Sequence, residues 1–170
     1  AEEVKEYIKD LVKDFSLFEG FFKAYQDPET SDIYLVIEEK QLNKEFIYFA
    51  HVIDGVVASR RNKGSYLDNG IFKIAKYFNT LRLSRINTSY TLNKDTALSR
   101  SSGANISDSV LSSLPIKATN EEETSFLVNV TNLFLSEDLT PIKPTSRSSS
   151  EDSFRWGQIS PAKSRIERVL

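Results

Sequence analysis

The sequence contains no cysteine and one histidine, His51. Without cysteine there are no disulfides, no thiol nucleophile and no thiolate ligands for zinc or an iron–sulfur cluster. A zinc centre held by the protein needs several His or Cys ligands, and one imidazole does not make one. A Ser-His-Asp triad would have to run through His51. The sequence therefore offers no catalytic, cofactor-binding or metal-binding residue, and no zinc chemistry of its own. Long apolar runs are also missing. The longest strongly apolar stretch, Ile33-Tyr34-Leu35-Val36-Ile37, is far short of the ~20 residues that cross a bilayer. Nor does one sign of charge dominate: 22 Lys and Arg face 24 Asp and Glu, a net charge of −2. That balance argues against a nucleic-acid partner, whose grip depends on clustered positive charge. The chain begins at Ala1 with neither Met nor an apolar leader, the pattern expected of a processed or excised chain.

What is present is the material of one domain. The 170 residues are 39% hydrophobic and 27% charged, with eleven Phe, seven Tyr and one Trp. A chain of this length buries about 70% of its unfolded surface, enough for a core without staples.

Residues 1–16 read as an amphipathic helix, with Val4, Tyr7, Ile8, Leu11, Val12 and Phe15 on one face. Opposite charges three apart, such as Glu6 and Lys9, support the other face. From Leu17 the period changes. Residues 18–26 read as extended, Asp27-Pro28-Glu29-Thr30 as a turn, and residues 33–37 as the second arm of a hairpin. Residues 45–53 are apolar on both faces, which predicts a central strand covered on both sides. Asp54-Gly55 and Asn69-Gly70 are turn signals, bracketing a polar segment before strands at 71–77 and 81–86. Ile106, Val110, Leu111 and Leu114 share a helical face, so residues 104–114 read as a short helix closed by Pro115. Strands follow at 116–118 and 126–130, with Glu121-Glu122-Glu123 as an exposed turn between them. Residues 139–153 are rich in Ser, Thr and Pro and read as a mobile loop, with order resuming at Phe154-Arg155-Trp156 and residues 166–170.

The motifs are weak. The segment Gly55 to Ser65 places Lys63 before Gly64, the reverse of a phosphate loop, and reads as a solvated hairpin loop. Ser160-Pro161-Ala162-Lys163 has the S-x-x-K spacing of serine acyltransferases without their other elements. Asn87, Asn105 and Asn129 open N-x-S/T triplets. His51 lies in an apolar strand, where a hydrogen-bonded structural role is expected.

Several segments taken in order carry a resemblance. They are Phe18-Glu19-Gly20-Phe21-Phe22-Lys23-Ala24-Tyr25, Ile33-Tyr34-Leu35-Val36-Ile37 and Lys44-Glu45-Phe46-Ile47-Tyr48. Further on come Arg85-Ile86-Asn87-Thr88-Ser89-Tyr90, Asp108-Ser109-Val110-Leu111-Ser112-Ser113-Leu114-Pro115-Ile116, the run from Val128 to Asp138, and Lys163-Ser164-Arg165-Ile166. Together they resemble the N-terminal modules of unknown function that precede the catalytic domain of bacterial zinc-dependent, metzincin-like metalloproteases. Ile86 stands where that family has proline, and Asn129 and Asn132 stand where it has acids. The resemblance implies a catalytic domain downstream with zinc in an H-E-x-x-H site, and export to the periplasm or beyond.

The expected fold is a β-rich α+β arrangement: antiparallel sheets, an N-terminal helix over residues 1–16 and one short internal helix, with residues 17–170 forming the accessory domain. The expected function is a non-catalytic accessory domain that packs on or gates the catalytic domain of a zinc metallopeptidase, its partner on the same polypeptide. The alternative is a free-standing module binding a peptide, a lipid or a glycan. If the chain is a severed part, an apolar patch is expected on Tyr7, Leu11 and Phe15 and over residues 154–170.

Overall fold

The computed structural model describes residues 6–55, 62–90, 96, 107–142 and 159–170. Among these the fold is a β-rich α+β arrangement on one antiparallel sheet. Its strands are β1 (Ser16–Phe18), β2 (Lys23–Gln26), β3 (Ile33–Glu38), β4 (Glu45–His51), β5 (Tyr66–Tyr77), β6 (Thr80–Arg85), β7 (Ser109–Thr119) and β8 (Ser125–Asn129). Their spatial order is β1-β2-β3-β8-β7-β6-β5-β4. The first three strands form one meander and the last five another, and the two meet where β3 pairs with β8.

Turn chemistry sets the hairpins. Between β2 and β3 the Asp27 carboxylate accepts the amides of Glu29 (2.8 Å) and Thr30 (3.3 Å), while Ser31 takes a left-handed φ of 64°. Between β5 and β6 Tyr77 pairs with Thr80, so the turn has two residues. Its first, Phe78, has φ 51° and is 97% exposed.

The N-terminal helix α1 spans Ile8–Leu11, a single turn within the expected 1–16. Residues 1–5 lie outside the described part. A second one-turn helix, α2, spans Thr131–Phe134.

Strand β7 corrects the helix expected over 104–114: from Ser109 onward that segment is strand, and residues 104–106 lie outside the described part. Two β-bulges explain the misreading. Leu83 pairs with Ser112 but Ser84 with Val110, which leaves Leu111 as an extra residue. Ile116 pairs with Val128 but Ala118 with Leu127, which leaves Lys117 extra. Each bulge shifts the inward–outward alternation by one. Leu111 and Leu114 thus pack on one core despite odd spacing, and Ile116 and Ala118 pack on opposite faces. Apolar residues at mixed spacings imitate a helical stripe. Pro115, which lacks an amide hydrogen, stands where β7 passes from its ladder with β6 to its ladder with β8.

The sheet curls around its main core. Leu81, Phe72, Ile37 and Val128 are each at most 1% exposed and belong to one cluster on the inner face. On the outer face Val12, Val36, Ala118 and Leu127 form a second cluster, which Ile8, Leu11 and Phe15 cover. Strand β3 is apolar throughout because it feeds both: Ile33, Leu35 and Ile37 inward, Tyr34 and Val36 outward.

The strand expected at the centre of the sheet, residues 45–53, is instead the edge strand β4, ending at His51. Its residues alternate between exposed and half-buried along their whole length. The turn expected at Asn69-Gly70 lies inside the twelve-residue β5, paired with Phe49 and Tyr48. In the loop expected over 139–153, Leu139 and Thr140 are buried, and residues 143–153 lie outside the described part.

Candidate functional site

The curl brings together aromatic rings that are distant in sequence. Phe21 and Phe22, between β1 and β2, meet edge to face at 4.6 Å. Phe22 stands edge-on to Phe46 of β4 at 5.4 Å, and Phe46 stands edge-on to Phe72 of β5 at 6.1 Å. Phe72 stacks with Tyr48 at 5.1 Å. Since β4 and β1 are opposite ends of the strand order, these ring contacts link the two ends of the sheet through side chains alone, and the backbone edge of β4 stays unpaired among the described residues. The Asn43 amide donates to the Ile74 carbonyl of β5 (2.7 Å) and the Gln41 side-chain amide to the Phe21 carbonyl between β1 and β2 (2.7 Å), so the β3–β4 connection is tied to both.

The rings form one wall of a cavity of about 260 Å³, and Ile37, Val128, Val130 and Leu133 line the other. The polar group in the wall is the Tyr48 hydroxyl, which shares a hydrogen bond with the Thr140 hydroxyl at 2.9 Å. Water in such a space would find almost no partner, so the hollow suits an apolar guest. At its mouth Phe21, Ile47 and Phe134 both line the cavity and stay exposed, by 68%, 67% and 47%.

Above the cavity wall a polar bridge crosses β5. Arg85 of β6 makes two 3.1 Å bonds to the Asp68 carboxylate and a third to the Asn69 carbonyl. To do so its guanidinium passes over Gly70, where a Cβ would lie 3.0 Å from Nε and 3.1 Å from the Phe72 ring. Gly70 is glycine for this close approach, and its φ is not in the left-handed range.

The outer face of β4 carries a row of exposed side chains, Glu45, Ile47, Phe49 and His51. His51, expected as a hydrogen-bonded structural histidine, is the last residue of this row. It lies exposed with its ring 5.6 Å from Tyr66. Tyr7, Leu11 and Phe15, expected in an exposed patch, are half-buried, and the exposed apolar row lies on β4.

The other singled-out residues do not come together. Ser160 caps a 3-10 turn, its carbonyl accepting the Lys163 amide at 2.9 Å. Of the segment 55–65, residues 56–61 lie outside the described part, and Gly64 (φ 75°) donates to the Val52 carbonyl in a turn. Asn87 is exposed, Asn129 donates to Asp32 at 3.0 Å, and Asn105 is outside the described part. Phe154, Arg155 and Trp156 are outside it as well. Glu121 pairs with Lys9, which holds its carboxyl below the usual carboxylate range, first through the hydrogen bond and then through charge. Among the described residues no group of three or more His, Asp or Glu side chains is placed to hold a metal ion, and no helix is long and apolar enough to cross a membrane.

The sequence offered no signal for the cavity, because its walls come from segments more than a hundred residues apart, from Phe21 to Leu139. No curated protein and no solved structure matches the chain. A family model does, over residues 64–170, a stretch that runs from the turn before β5 to Leu170 and takes in β5 to β8 and α2. With well over half of its length matched, the chain belongs to the family described as a domain of unknown function, DUF5117.

Proposed function

We propose that the chain is a non-catalytic accessory domain of a zinc-dependent metallopeptidase, packing on or gating a catalytic domain carried on the same polypeptide. The observation that carries this reading is the mouth of the cavity. Phe21, Ile47 and Phe134 stand exposed around an apolar hollow, and uncovering each such side chain forfeits roughly 1.5–3 kcal/mol of burial. A partner surface that seats one apolar side chain in the hollow recovers that burial and fixes its orientation. The ordered resemblance of the segments from Phe18 to Ile166 to N-terminal protease modules supports a catalytic protease domain as that partner. On that reading the protein works in the periplasm or outside the cell.

The test uses the full polypeptide that contains the chain. It is expected to bind zinc, to cleave peptides in a chelator-sensitive way, and to lose activity at unchanged zinc content when Phe134→Glu is introduced. Full activity in Phe134→Glu, or a polypeptide with no zinc-dependent cleavage, overturns the proposal.

A second reading, a free-standing binding module, is favoured by the almost unbroken apolar lining of the cavity. That lining suits a lipid chain or an apolar peptide side chain and gives a glycan nothing to hydrogen-bond. Saturable binding of a fluorescent fatty acid to the chain, abolished when Val128→Phe fills the space, would favour it over the first.

A further inference from the structure

We propose that two copies of this chain pair through their β4 edges, antiparallel about a two-fold axis at Tyr48, to form one continuous sheet. This goes beyond the accessory-domain reading and does not depend on it. Strand β4 is the last in the strand order, so along Glu45–His51 the alternate amides and carbonyls that point away from β5 have no strand partner among the described residues. Edges of this kind are normally blunted by short length, proline, lysine or a bulge in the edge strand. None of these devices is present here. β4 is seven residues long, and its irregularity beside Ala50 and His51 places the extra residue, Leu67, in β5.

The strand is self-complementary in one register. With Tyr48 opposite Tyr48 of the second copy, Ile47 faces Phe49, and Glu45 faces His51. All four side chains lie on the outer, exposed face. Ile47 is 67% and Phe49 59% exposed, so each copy brings two apolar side chains to be covered. At both ends of the pairing a carboxylate meets an imidazole that can donate to it, and no like charges are opposed. Lys73, the neighbour of Glu45 in β5, is engaged with Asp108 at 3.3 Å. Such an antiparallel pair adds on the order of six backbone hydrogen bonds. A one-residue slip would place one copy's outer row against the other's inward-facing residues, which specifies the register.

The absence of cysteine gives the test a clean background. The full chain is prepared as Ile47→Cys and, separately, as Phe49→Cys, both at exposed positions outside the buried core clusters. Opposed residues have Cβ atoms about 4.5–5.5 Å apart and diagonal ones about 7–8 Å. Mild oxidation of the mixture is therefore expected to give a disulfide-linked dimer faster than oxidation of either variant alone. Sedimentation of the unmodified chain is expected to show a monomer–dimer equilibrium, with Phe49→Lys raising its midpoint concentration by roughly tenfold or more. A chain that stays monomeric at high micromolar concentration overturns the proposal. So does a midpoint unmoved by Phe49→Lys, or cross-linking of the mixture no faster than that of the single variants.

Discussion

Replacing Gly70 by alanine should destabilise the protein through Arg85, a residue of the neighbouring strand. In an ordinary strand the exchange removes backbone freedom from the unfolded chain and gains about 0.5–1 kcal/mol. Here the new methyl would lie 3.0 Å from the Arg85 Nε, inside normal contact distance. The guanidinium must lift, and its two 3.1 Å bonds to Asp68 go with it. Asp68 is 16% exposed and Arg85 38%, so the pair lies between a surface pair and a buried one. Losing it should cost about 2 kcal/mol, between the ~0–1 of exposed pairs and the ~3–5 of buried pairs broken on one side. The net for Gly70→Ala is then a loss of about 1–1.5 kcal/mol, a fall in melting temperature of roughly 2–6 °C for a chain this size. The decisive assay is a double-mutant cycle by urea unfolding. With Arg85→Ala already in place, Gly70→Ala should be close to neutral, because the remaining contact with the Phe72 ring (3.1 Å) offsets the entropic gain. If Gly70→Ala is equally destabilising in both backgrounds, the obstacle is Phe72 and not Arg85.

Three further outcomes follow from the same geometry. Phe78→Gly should stabilise the protein by about 1 kcal/mol, since Phe78 holds a left-handed φ of 51° and is 97% exposed; a loss of stability in chemical unfolding would contradict this. Leu81→Ala, at a wholly buried position, should cost about 2–5 kcal/mol in the same assay, and a cost below about 1 kcal/mol would show a core that can collapse around the deletion. The Asp27 carboxyl is held below its ordinary value of 3.8, chiefly by the Glu29 amide and then by Thr30. Because the folded value is the lower one, this contribution is complete above about pH 4 and is lost as the pH falls through the folded value. An NMR titration of that carboxyl should show a midpoint under 3.8, and a midpoint at or above it would rule the account out.

Local periodicity carried the sequence a long way where strands are regular. The run Ile33–Ile37 is unbroken because both of its faces are covered, and it lies centrally as its composition suggests. The turn at Asp27 was legible because aspartate and proline have a local mechanism there. The run at 45–53 has the same composition as a central strand, yet Ile47 and Phe49 face outward at an edge. Composition records that side chains are apolar and is silent on whether anything covers them. In β7 the bulges at Leu111 and Lys117 scrambled the alternation that identifies a strand. Asn69-Gly70 read as a turn because the demand for glycine comes from Arg85, fifteen residues away. The cavity depends on Phe21, Phe46, Phe72 and Val128 meeting through the curl, and no window of sequence contains them.

The seam between β3 and β8 has a consequence for the nascent chain. Tyr34 pairs with Asn129 and Ile37 with Phe126, so β3 leaves the ribosome long before the strand that will cover its flank exists. At ordinary rates of translation the interval is roughly 5–20 s. Through it the uncharged stretch Ile33-Tyr34-Leu35-Val36-Ile37, with neither proline nor glycine, is bound on one side to β2 and open on the other. Segments of that composition are the ones that recruit other chains into β-aggregates. The five strands from Glu45 onward each find a neighbour as soon as the next hairpin emerges. In the cell, then, the hazard of this topology falls on β3, a strand covered on both faces once folding is complete, and a holdase that binds short apolar stretches would be needed there first.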